Sequence, residues 1–221
     1  MHRKPDSNRI DRRLNHLLAL VVLLPFLSPA LEAQTVVQND SITDFGQVAI
    51  QVGFAAEEVA AAWLTSPCDG EITHVRVIWL SFLGGAPDTL GAWVRVFQEG
   101  TFPVPGAVLV DLPGPVLSDG FENEFLLPSP IPVNESQTFV VGFKFNTAPP
   151  ALGPSLPTDV DGCQAGRNGI FVIPDDLWFS SCVLGVSGDF GLRAVVQCAA
   201  GPFFEDGFET GDTSSWSTTV P

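Results

Sequence analysis

Tyrosine is absent from the 221 residues, and bases, histidine and methionine are scarce: 10 Lys and Arg against 25 Asp and Glu, with 3 His and 1 Met. Few bases exclude a surface that tracks nucleic acid phosphates or anionic lipid. The four cysteines form no CxxC, and the only histidine after residue 33 is His74, so a zinc centre lacks its ligands. No GxSxG is present. The nearest approach, GVSGDFG (185–191), has the wrong spacing and reads as a turn. Nor is any run beyond residue 33 long and apolar enough to span a bilayer. The lack of tyrosine, beside 17 Phe, decides nothing by itself.

What is present begins with an export signal. Residues 1–16 carry five of the ten Lys and Arg, and LLALVVLLPFLSPA follows. Pro25 and Pro29 interrupt that run, which is shorter than the roughly 18–20 residues of a span. A basic segment, a short apolar segment and small residues read as a signal peptide over 1–33, cleaved after Ala33 or Ala30. Removing 1–33 takes five bases and three acids, leaving 5 basic and 22 acidic residues and a net charge of −17. The remaining chain of about 188 residues suits one domain. In an exported chain an even number of cysteines predicts two disulfides. Three pairings are open to Cys68, Cys163, Cys182 and Cys198. The expected one closes a loop with Cys163–Cys182 and ties an early strand end to the last strand with Cys68–Cys198.

Short alternating segments separated by Gly, Pro, Asn and Asp predict strands and turns throughout. The strongest are EITHVRVIW (71–79), GAWVRVFQ (91–98), TFVVGFKF (138–145) and GLRAVVQC (191–198). Alternation sets Val94 and Val96 against Trp93, Arg95 and Phe97. It puts Phe139, Val141, Phe143 and Phe145 on one face and Lys144 on the other. Weaker strands are expected at 47–54, 59–64, 106–112, 123–128, 169–173 and 177–180. The one helical pattern, AAEEVAAAW (55–63), is short and reads as strand in its second half. Eight to ten such strands over residues 35–199 predict an all-β fold, an antiparallel β-sandwich of jelly-roll type.

The runs VRVFQEGTFPVPGAVLV and NEFLLPSPIPVNESQTFVVGFKF resemble a pattern of secreted bacterial jelly-roll domains, over roughly residues 90–145. That resemblance implies the fold, and an adhesive, carbohydrate-binding or spacer role. EDGFETGDTSSWS in the 200–221 tail is similar to a DGFESGDTSxWS segment near the C-termini of many exported bacterial proteins. Asp206, Gly207, Phe208, Glu209, Gly211, Asp212, Ser215 and Trp216 match, and Thr210 stands where serine is usual. This implies bacterial export and no particular activity.

Three kinds of chemistry remain. Glycoside hydrolysis needs two carboxyls facing each other roughly 5–9.5 Å apart. The doublets Glu57–Glu58 and Asp175–Asp176 would point to opposite faces of a strand, so no enzyme is expected. Calcium is the cofactor the acids best suit. Asp159 and Asp161 precede a glycine in TDVDGCQAGRNG, and Asp206, Glu209 and Asp212 lie in the glycine-bearing tail. An EF-hand is excluded, because Ile170 stands at the twelfth position. Glycan binding needs an aromatic face beside hydrogen-bonding acids. Trp178 and Phe179 next to Asp175 and Asp176 offer both, whereas Trp63, Trp79 and Trp93 are expected in the core. His74, in mid-strand, is expected to be structural. The expectation is a secreted or surface module that binds glycan or a surface protein. The alternative is a structural spacer or assembly subunit whose tail serves for docking or sorting, and a lesser alternative is a carboxylate-based hydrolase.

Overall fold

The computed structural model describes residues 33–82 and 91–199. The tail, with Asp206, Glu209 and Asp212, and all but the last residue of the expected signal peptide (1–33) lie outside the described residues. Twelve strands run in chain order: β1 Gln34–Val37, β2 Ala49–Ile50, β3 Val59–Thr65, β4 Gly70–Trp79, β5 Gly91–Gln98, β6 Val108–Pro113, β7 Phe121–Val133, β8 Thr138–Phe145, β9 Pro157–Thr158, β10 Asn168–Val172, β11 Leu177–Ser180 and β12 Leu192–Cys198. The described residues contain no helix.

One sheet has the order β1-β12-β4-β7 and the other β11-β10-β3-β8-β5-β6, all pairs antiparallel. Without the β10–β11 hairpin, the second sheet reads β3-β8-β5-β6. Two four-stranded sheets with that alternation are a jelly roll, and the hairpin widens one of them. Strand period 2 then decides what fills the space between the sheets. Phe139, Val141, Phe143 and Phe145 from β8 meet Val75, Val77 and Trp79 from β4 and Leu192, Ala194 and Val196 from β12. Phe54 stacks on Phe145 with ring centroids 4.3 Å apart, sealing one end.

Alanine favours helix, yet Ala60, Ala61 and Ala62 are fully buried in β3, a strand with a neighbour on each side. Packing there overrides local preference. Ala55 to Glu58 instead form a turn. The Glu58 carboxylate accepts the Ala55 N–H at 2.8 Å, and Glu57 has φ 75°. The segment 47–54 shrinks to the two residues of β2, while 123–128 is the middle of a 13-residue strand. β7 pairs only on one side, so Pro128, Pro130 and Pro132 break few ladder bonds.

The cysteines pair as Cys68–Cys198 and Cys163–Cys182, enclosing 130 and 19 residues of sequence separation. The first ties the β3–β4 turn to the end of β12. The second straps the segment before β10 to the one after β11. No helix among the described residues is long and apolar enough to cross a membrane.

Candidate functional site

The two outer faces of the sandwich differ. On the four-stranded sheet a charge network runs across the strands. Arg193 donates to buried Asp40 and, at 2.9 Å, to Glu122; Arg76 contacts Glu122 at 3.3 Å and Glu124 at 2.6 Å. Burial would lower the Arg193 pKa, but hydrogen bonds to Asp40 and the charges of Asp40 and Glu122 outweigh it and hold the guanidinium above its ordinary value. His74 lies beside this network, 3.9 Å from Glu124. Its ring also contacts the Thr73 hydroxyl at 3.0 Å. Ile42 and Val48 from the segment after β1 cover Ile78 on the same face.

The six-stranded sheet presents aromatic rings instead. Register sets Trp178, Phe171, Val59, Lys144 and Trp93 in one row from β11 to β5. The next row holds Gly169, Ala61, Gly142 and Arg95, and a third holds Trp63, Val140 and Phe97. The small residues of the middle row let rings lie close to the sheet. A Cβ on Gly142 would stand 2.9 Å from the Phe97 ring and 3.4 Å from Trp93. Trp63 is buried under Phe102, centroids 5.0 Å apart, and its indole donates to the Glu99 carbonyl at 2.9 Å. Trp178 stands edge-on to Trp63 at 6.4 Å and packs on Phe171 at 5.6 Å.

Trp93, Phe97, Phe171 and Trp178 thus line a shallow groove of about 240 Å³ with Val59, Ile173, Glu57, Arg95 and Lys144. Four inter-strand gaps separate β11 from β5, so the groove's two tryptophans sit on backbones ~19 Å apart. Its charges come in pairs: Lys144 with Glu57, and Arg95 with Asp111 at 2.7 Å. Arg95 also lies over the Trp93 ring, 4.2 Å from its centroid. Paired guanidinium, ammonium and carboxylate groups beside flat rings offer donors and acceptors for hydroxyls next to apolar surface.

The expected platform is therefore redrawn. Trp178 and Phe179 are neighbours on β11 and point to opposite faces, so they cannot form one surface. Phe179 pairs with Ile170 on the inward side. Asp175 and Asp176 are exposed in the β10–β11 turn and do not line the groove. Of the three tryptophans expected in the core, Trp79 lies between the sheets and Trp63 is buried in a second cluster on the outer face, while Trp93 is only partly buried against that cluster. Alternation along GAWVRVFQ already put Trp93, Arg95 and Phe97 on one side. Two aromatics beside a base on the face opposite Val94 and Val96 were the available signal.

The acidic loop also acquires a shape. Asp159 is buried, and its carboxylate accepts the Ser41 N–H and the Asp189 N–H, each at 2.8 Å. Asp189 is fully buried; its Oδ1 accepts from Asn168 at 2.6 Å and Gln164 at 3.2 Å. Burial raises the Asp159 pKa, and the nearby Asp161 raises it further against the two backbone donors. Burial likewise pushes the Asp189 carboxyl up to about 6, with Asp159 and Asp161 adding and Gln164 and Arg167 opposing. Among the described residues no three His, Cys, Asp or Glu side chains stand together as a ready metal centre.

No family model matches the chain, and no curated protein matches it in sequence.

Proposed function

We propose that this is an exported, non-catalytic jelly-roll module that binds glycan along the outer face of its six-stranded sheet. The observation that carries the reading is the groove of Trp93, Phe97, Phe171 and Trp178 with Arg95, Lys144 and Glu57 at its surface. Sugar rings present apolar faces to aromatics and hydroxyls to charged side chains, and the groove offers both. Its length suits several sugar units better than one. The signal-peptide pattern and the two disulfides support export.

Affinity electrophoresis of the exported chain through soluble polysaccharides tests this. Trp93→Ala and Lys144→Met should each weaken retention at least tenfold. Trp178→Ala should do the same, and because Trp178 is half-buried on Trp63 and Phe171 it should also cost about 1–2 kcal/mol of stability. Lys144→Met leaves ring packing in place, so its effect separates binding from folding. Retention by no polysaccharide, or retention unchanged in all three variants, would leave the spacer or assembly-subunit reading in its place.

A further inference from the structure

The buried carboxylates Asp159 and Asp189 share no residue with the aromatic groove. Asp189 has a fully buried side chain, and its Oδ2 has no hydrogen-bond partner among the described residues. A carboxylate oxygen removed from water without a partner is costly. Asp159 is held against it: the two residues exchange backbone and side-chain bonds, with Asp159 N–H donating to the Asp189 carbonyl at 3.1 Å. Gly188 allows this approach, since a Cβ there would overlap the Asp159 carbonyl and carboxylate. Asp161 follows two residues on, exposed, with its side chain in hydrogen-bonding reach of Asp159. Asp159 and Asp189 therefore meet, Asp161 is near enough to act on both by charge, and the one base near them is Arg167, whose guanidinium is turned to Asn39 at 2.8 Å.

We infer that this acidic cluster is a calcium site, with Asp189 Oδ2 and the Asp161 carboxylate as its charged ligands. Asp159 is a positioning residue, because both of its oxygens already accept hydrogen bonds from Ser41 and Asp189. Two carboxylates are enough for a cation that fills roughly six to eight positions with neutral carbonyl and water oxygens as well. Oxygen donors alone suit calcium better than zinc. The Cys163–Cys182 disulfide fixes the loop's far end, so the cation would fix the near one.

Calorimetric titration of the chelator-treated exported chain with calcium chloride tests the site, with thermal melting in parallel. The expected result is one site per chain, with a melting temperature that rises with calcium. Asp161→Asn and Asp189→Asn should each weaken calcium binding at least tenfold, while Asp175→Asn on the hairpin turn leaves it unchanged. In chelator, Asp189→Asn should melt no lower than the parent, since an amide there relieves buried repulsion. If Asp189→Asn does not fold, exposed Asp161→Asn still decides. Absence of calcium binding at millimolar concentration, or binding that both substitutions leave intact, overturns the inference. The second result would place any bound calcium elsewhere in the chain.

Discussion

Arg193 crosses from β12 to Asp40, and both side chains are shielded from water, with Asp40 only 3% exposed. Removing one member of such a pair leaves an uncompensated buried charge. Arg193→Met should therefore destabilise the domain by about 3–5 kcal/mol in urea unfolding. Arg193→Met with Asp40→Leu should recover most of that loss, because it removes both charges together. Asp189 behaves in the opposite sense. Its folded pKa of about 6 lies above the ordinary 3.8, so the folded state holds the proton more tightly than the unfolded state. That contribution is complete below about pH 3.8 and is lost as pH rises through 6. In chelator, the parent should lose up to about 3 kcal/mol relative to Asp189→Asn between pH 4 and pH 7. Asp159, also raised by burial, acts in the same direction. Paired melts of parent and variant across that range isolate the effect from the other carboxylates.

The β10–β11 hairpin is the element that turns a plain jelly roll into a wide platform. It extends the sheet beyond β3 and carries Phe171 and Trp178, one wall of the groove. The Cys163–Cys182 disulfide closes it. Replacing both cysteines by serine should cost about 3 kcal/mol by the chain-entropy argument, and proteolysis should then cut first between residues 160 and 185. Retention on glycan should fall with it. The hairpin was legible in sequence as two short apolar runs around IPDDL. The four strongest strands were legible too: 91–98, 138–145 and 191–198 alternate with an apolar face, and 71–79 is rich in β-branched residues and alternates in part. The sequence pattern did not reveal β1, whose four residues depend on β12 for their ladder, nor the full length of β7, whose prolines read as punctuation. The favoured cysteine pairing is the one observed: a short bridge closes one loop, and the other ties an early strand end to the last strand. The groove was only half legible. Trp93 and Arg95 were placed on one face, but nothing local says that β11 will come to lie in the same sheet four strands away. Asp189 was missed as a site residue altogether. SGDFG reads as an ordinary turn until Asp159, 30 positions earlier, is seen to hold it.

At the scale of the molecule, the two sheets divide the labour. Polar cross-strand pairs and the segment after β1 occupy the outside of the four-stranded sheet, while the six-stranded sheet leaves Trp93, Phe171 and Trp178 partly exposed. The groove's cations are both matched by carboxylates, and the chain after residue 33 carries a net charge of −17. Such a field disfavours acidic polymers and leaves neutral polysaccharide as the fitting occupant of the proposed site. Strand register adds one consequence of a mechanical kind. Gln34, where β1 begins, lies opposite Gln197, near the end of β12, and Cys198 is clamped to Cys68 beside them. The chain thus enters and leaves the sandwich at one pole. Tension applied through residues beyond Cys198 passes across a covalent bond into the β3–β4 turn and does not peel β12 from its neighbours. Tension applied ahead of Gln34 meets only the four-residue ladder of β1, which would unzip pair by pair. A module anchored from its C-terminal side would hold its load far better than the same module anchored from the other.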